Sequence, residues 1–305
     1  MPRPPLPAFA AAAVATAALL LAACSDDTAT GSSGARVRLA DHSATPALVK
    51  ASSLPAGVRV YSLVSSEDRL AASPGFQFGG SADGAGLLKN PDGTFTILLN
   101  HEDNFAVSRV TLDSTFRPVR GEYVLDSQNG RWRLCSATMA GAEHGFAKPA
   151  FFTVGESGIE SQIHMVDPYG APNTSTLVTA FGRWNAENAV PLTQSAYPGK
   201  TVVVIGDDDS GANGGQVALY VADRPGDVTS GRLYVLARTN NNVRERDMVV
   251  GQTYPVEFRQ IENQQALTGA QIEAVGLAKG MMQFGRVEDL DYRKGSAAAN
   301  REVYF

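Results

Sequence analysis

The feature that most limits what this chain can become is a succession of short apolar, largely β-branched stretches, each closed by turn-forming residues. They occupy residues 58–64, 94–100, 151–154, 163–166, 201–205, 217–222 and 232–237. Between them stand Asn90-Pro91-Asp92-Gly93, Asp167-Pro168-Tyr169-Gly170 and Pro225-Gly226-Asp227, residue types that set turn dihedrals. A helical period persists only over residues 268–278, which predicts one short helix. The chain therefore reads as all-β. Many short strands need their edges protected, which a β-propeller achieves by radial repetition; a large sandwich is the alternative, since no fixed repeat length is visible. Glu302-Val303-Tyr304-Phe305 reads as the opening of a further strand, so the expected propeller is incomplete at its C-terminus.

The first residues carry an address. After Arg3, residues 8–23 are apolar and uncharged, too short for a bilayer span of about 20 residues but suited to a signal-peptide core. Leu21-Ala22-Ala23-Cys24 resembles the lipobox of bacterial lipoproteins. That resemblance implies cleavage before Cys24, a lipid on its thiol, and a place in the cell envelope, on the outer membrane if the host is Gram-negative. The expected organisation is a signal peptide at 1–23, a flexible tether rich in Ser, Thr, Ala, Asp and Gly at 24–56, and a globular domain at 57–305. Hydrophobic residues at 44% and charged residues at 19% fit a packed domain. The net charge of -5, with no basic stripe interleaved with aromatics, argues against a nucleic-acid partner.

The chain has 2 cysteines, so lipidation of Cys24 leaves Cys135 without a disulfide partner. Cys135 is either a small buried hydrophobe or a metal ligand. Four segments bring candidate ligands to strand ends: Leu99-Asn100-His101-Glu102-Asp103-Asn104; Cys135 with Glu143, His144 and Glu156; Gly182-Arg183-Trp184-Asn185-Ala186-Glu187 with Gly206-Asp207-Asp208-Asp209; and Phe284-Gly285-Arg286-Val287-Glu288-Asp289. One acid after a strand is ordinarily a solvated turn residue. Several together suit calcium, which takes oxygen ligands, and a thiolate among them adds affinity for a softer metal such as iron. No zinc spacing, EF-hand, phosphate-cradling P-loop or Ser nucleophile elbow is present.

In this order the segments resemble the PhoX-type alkaline phosphatases, exported β-propeller enzymes with an iron and calcium centre. The resemblance rests on "LLNHED" at 98–103, "RLCSAT" around Cys135, "FGRWNAENAV" at 181–190 with "VVVIGDDDSG" at 202–211, and "FGRVEDLDY" at 284–292. It implies that Cys135, Glu187 and Glu288 hold iron, that Glu156, Asp207 and Asp208 hold calcium, and that Arg286 binds phosphate. The chain departs from the family pattern at Ala186, where a His is common, and at Ser136-Ala137-Thr138-Met139-Ala140, where a Gly-rich stretch with a Trp is usual. The implied activity is metal-dependent hydrolysis of a phosphorylated small molecule. The alternative is a non-catalytic, calcium-binding propeller lipoprotein with a ligand- or partner-binding role.

Overall fold

The computed structural model describes residues 39–47, 55 and 57–305; the expected signal peptide, Cys24 and most of the expected tether lie outside them. The strand-and-turn pattern becomes three antiparallel sheets in chain order. β1 (Ala82–Lys89), β2 (Phe95–His101), β3 (Ala106–Leu112) and β4 (Pro118–Leu125) form the first. A short helix, α1 (Ser127–Gly130), leads into the second, made of β5 (Leu134–Ala140), β6 (Ala150–Gly155), β7 (Ile163–Val166) and β8 (Thr176–Leu177). β9 (Ala186–Pro191), β10 (Thr201–Asp207), β11 (Gln216–Ala222), β12 (Arg232–Arg238) and β13 (Val256–Ile261) form the third. The helix α2 (Gly269–Ala278) follows, and β14 (Asp291–Tyr292) pairs with β15 (Val303–Tyr304).

Each sheet is a meander in which every strand pairs with the one before it. Turn chemistry explains why. The Asn90 carbonyl accepts from Gly93 N–H at 3.0 Å, and Gly93 takes φ +85°, so the chain reverses directly into β2. The predicted helix also forms: Thr268 caps α2 by accepting from Gln271 N–H, and the Gln271 side chain returns the bond to the Thr268 N–H. Two expectations need correction. Residues 58–64 form no strand. Part of the expected tether is bound down, with Asp41 accepting from Ser62 N–H at 2.7 Å and Asp68 accepting from Ala44 N–H at 2.6 Å.

The sheets pack face to face in sequence order. Leu98, Val107, Leu134 and Phe151 fill the space between the first and second, and Phe152, Phe181, Tyr220 and Leu233 fill that between the second and third, with Ile272 of α2 closing its side. Val190, Val202 and Val204 on the far face of the third sheet meet Val287, Leu290 and Tyr292. Each fully buried aromatic of this kind contributes about 2–3 kcal/mol. Consequently the first strands β1, β5 and β9 lie side by side, each in contact with the next. Gly84 permits the closest approach, because a Cβ there would sit 2.2 Å from the Ala137 nitrogen.

One buried group gives the fold a pH dependence. His164 on β7 is 2% exposed; its Nε2–H donates to the Gly130 carbonyl at 3.0 Å and its Nδ1 accepts from Ser175 at 2.8 Å, which fixes the neutral tautomer. Burial, with Arg131 adding to it, holds the imidazole at about 4. A His depressed in the fold stabilises fully above its unfolded value near 6.5, and that stability is lost as pH falls toward 4. The loss across this window is about 3 kcal/mol. His164→Gln is expected to flatten the pH dependence of the unfolding free energy between pH 6.5 and 4 relative to wild type; parallel curves would show that His164 is not the responsible group.

Candidate metal centre

The three meanders place a candidate ligand by the same device three times. In β1, Ala82 faces His101 and Ala85 faces Leu99, so the first strand carries one residue more than its partner. In β5, Leu134 faces Gly155 and Ala137 faces Thr153, and in β9, Ala186 faces Asp207 and Asn188 faces Gly206. Each is a bulge, which re-aims the side chain it carries. The residue after Ala82, Leu134 and Ala186 is Asp83, Cys135 and Glu187, respectively. The residue after the facing His101, Gly155 and Asp207 is Glu102, Glu156 and Asp208. Every sheet therefore contributes one bulge ligand and one from the end of its second strand.

These six residues converge. Ligand atoms of Asp83, Cys135 and Glu187 lie within 4.8 Å of one another, as do those of Glu102, Cys135 and Glu156, and those of Glu156, Glu187 and Asp208. A shared hydrogen-bond frame sets the geometry. Asn100, fully buried, donates to the carbonyls of Cys135 and Ser136 and accepts from Thr153 Oγ1 at 2.9 Å, tying β2, β5 and β6 together. Cys135 Sγ donates to Glu156 at 3.0 Å, and Ser136 Oγ donates to Glu187 at 3.1 Å. Asp208 N–H donates to the Asn185 carbonyl at 2.8 Å, anchoring the end of β10.

The electrostatics are those of crowded negative charge. Burial pushes the Glu187 carboxyl up to about 7 against the opposing Ser136 hydrogen bond, with Asp83, Glu156 and Asp208 adding to the rise. Burial raises Asp83 too, helped by Glu102, Asp289 and Glu156. The Cys135 thiol is driven far up by burial, by its bond to Glu156 and by the nearby carboxylates, so without a cation it keeps its proton. Two arginines stand at the margins. Arg286 Nε meets Asp208 at 2.5 Å, its Nη2 meets Asp208 and, at 2.8 Å, Glu288, and Glu156 is 3.9 Å away. Arg133 pairs with Glu102 and, at 3.8 Å, with Asp103. Asp83 and Glu187 have no ion-pair partner among the described residues. A set of five carboxylates and one thiol with so little compensating charge could hold a metal ion.

The sequence-derived ligands separate on this map. Cys135, Glu156, Glu187 and Asp208 come together, and Arg286 lies at their edge. Glu288 is outside the three groups and pairs with Arg286. Asp207 is also outside them: it belongs to β10, where Val203 and Ile205 share its face and point into the core between the second and third sheets. It is 5% exposed, and its carboxyl is raised by burial, with Asp209, Asp208 and Glu273 adding to the effect. His101 of the first motif is buried and bonds Ser108 at 2.8 Å, a structural role. Sequence reasoning missed Asp83, which sits in a Gly- and Ala-rich strand, and did not separate Glu102 from Asp103. The signal for both is the register shared with the other two sheets, which is invisible before the strands are paired.

Fold and site define a mostly β protein of consecutive antiparallel meanders with an acidic, thiol-containing centre where the first strands meet. No family model matches the chain, and no curated protein does either. Among solved structures it is similar to Pseudomonas fluorescens PhoX in complex with vanadate, a transition state analogue, with a TM-score of 0.52 and 14% sequence identity. The match covers 70% of this chain and 56% of that one, so the chain spans little more than half the length of that protein. At this identity the likeness establishes a PhoX-like fold.

Proposed function

We propose that the chain is a cation-dependent phosphoesterase of the cell envelope, built on a PhoX-like β-propeller and anchored through Cys24. The observation that carries the reading is the convergence of Asp83, Glu102, Cys135, Glu156, Glu187 and Asp208 in three overlapping groups with Arg286 at their rim. The PhoX neighbour is a complex with vanadate, which supports a phosphate-containing ligand for this chain too. Asp83, Cys135 and Glu187 would hold iron, and Glu156, Glu187 and Asp208 calcium, exchanging Asp207 and Glu288 of the sequence reading for Asp83 and a shared Glu187. Bound cations would supply charge neutralisation for the phosphoryl group and its water nucleophile. The protein's own contribution is orientation. Arg286 offers a planar fork that suits two phosphoryl oxygens, and Asp208 and Glu288 hold that fork in place. The frame of Asn100 and Ser136 keeps the ligands from rearranging.

One observation favours the non-catalytic reading. Both the Nε and the Nη2 edge of Arg286 are engaged by Asp208, so phosphate must share or displace that carboxylate. The two readings part in one experiment. The mature protein is loaded with calcium and ferric iron, its metal content is measured, and hydrolysis of p-nitrophenyl phosphate is followed. Bound metal with turnover is the expected result; bound metal with neither turnover nor phosphate binding would leave the non-catalytic reading, and no bound metal would remove both. The envelope assignment rests on the leader and is checked by metabolic labelling of Cys24 with a radioactive fatty acid.

A further inference from the structure

We propose that the open cavity beside the cation groups receives the alcohol part of a phosphomonoester and selects an uncharged, hydroxyl-bearing one. The inference rests on the phosphoesterase reading and names the substrate class which that reading leaves open. The cavity, of about 370 Å3, lies between β5, β9 and the segment that enters β14. It adjoins the centre through its walls. Ala85 stands two residues beyond Asp83, Asn188 directly follows Glu187, and Ser136 lines the cavity while donating to Glu187. Asp289, in the opposite wall, lies near enough for its charge to act on Asp83.

Asn188 carries the argument. It is 6% exposed, lines the cavity, and its buried Nδ2 has no hydrogen-bond partner. A buried amide donor left unmade is a standing penalty, and because Nδ2 is sealed from solvent, a turn of the Asn188 side-chain amide is what would present it to an acceptor in the cavity. The bulge at Glu187 produces this placement: Asn188 resumes the regular register opposite Gly206, so the ligand and the orphaned donor are consecutive residues serving adjoining spaces. The hydroxyl of Thr138 adds a second polar group to the wall. Charge then chooses among alcohols. Lys294 is occupied by Asp291 at 2.6 Å, whereas Asp289 has no ion-pair partner among the described residues. The wall is therefore net negative and disfavours a second anionic group. A volume near the lower end of ligand pockets, about 300–1,000 Å3, suits a small polyol.

The test uses the calcium-loaded, 15N-labelled mature protein with three ligands: inorganic phosphate, glycerol 2-phosphate and 3-phosphoglycerate. The expected result is that the Asn188 side-chain amide resonances move with glycerol 2-phosphate and stay in place with phosphate. Glycerol 2-phosphate should bind at least about tenfold more tightly than 3-phosphoglycerate, and the ratio of its affinity to that of phosphate should fall about tenfold in Asn188→Ala. If phosphate binds but the Asn188 resonances ignore the ester, or if all three ligands bind alike, the cavity is not the alcohol site and the phosphoesterase reading stands. If none of the three binds, the phosphoesterase reading fails and takes this inference with it. The resonance shift in the wild-type protein decides the matter even if the variant does not fold.

Discussion

Glu187→Gln is expected to weaken divalent-cation binding by at least about 100-fold while leaving the cation-free protein as stable as wild type or more so. The two effects have opposite signs for one reason. Glu187 belongs to two of the three ligand groups, so its loss removes a charged oxygen from both. In the absence of a cation the same carboxylate is a liability, held up to about 7 by burial and by Asp83, Glu156 and Asp208. Gln keeps the shape and can still accept from Ser136 Oγ, which donates to Glu187 at 3.1 Å. A cation that binds only the folded state stabilises it by about 2.7 kcal/mol at a hundredfold excess over Kd, and the variant should forfeit that gain. Thermal melts with and without calcium, together with titration calorimetry, measure both arms. A variant with the wild-type calcium response would remove Glu187 from the centre, and one that is less stable without calcium would mean that its charge is already compensated.

The second large effect is expected at Arg286. Its side chain is 53% exposed, but the Asp208 side chain it grips is fully buried. Arg286→Ala strands that carboxylate, and breaking such a pair from one side should cost about 2 kcal/mol, between the values for exposed and for fully buried pairs because half of the Arg286 side chain already meets water. Added calcium should restore most of the loss, since a cation can take over the role of the missing guanidinium beside Asp208. Vanadate binding should fall about 100-fold and not recover with calcium. Arg286→Lys should keep the stability but bind vanadate about tenfold more weakly than wild type, because a point charge lacks the planar fork. If Arg286→Ala binds vanadate like wild type, Arg286 is a brace for Asp208 and nothing more.

Much of this architecture was legible from local chemistry. The apolar runs at 163–166, 201–205, 217–222 and 232–237 all lie within strands, and the capping residue Thr268 sits where the short helix begins. What escaped notice were strands with little local signature. β1, with the sequence ADGAGLLK, has Ala or Gly at four of its first five positions, yet Gly84 is there because β5 passes against it, a tertiary reason that no propensity carries. At the site, a family resemblance singled out Cys135, Glu156, Glu187, Asp208 and Arg286, and the structure brings the first four together with Arg286 at their edge. Asp207 lies outside the three groups because neighbouring residues along a strand point to opposite faces, which puts it on the core side with Val203 and Ile205, whereas Glu288 lies on a segment with no strand and pairs with Arg286. Asp83 was overlooked because its importance depends on a register between strands rather than on the residues beside it.

The thrice-repeated bulge separates two properties that a metalloprotein usually couples. Backbone register fixes where the six donor atoms stand, so the scaffold does not care which element each atom is. Five of the six sockets are filled with oxygen and one, at Cys135, with sulfur. On the proposed reading, a change at position 135 alone would turn the donor set from mixed to all-oxygen while the backbone that places the other five donors stayed as it is.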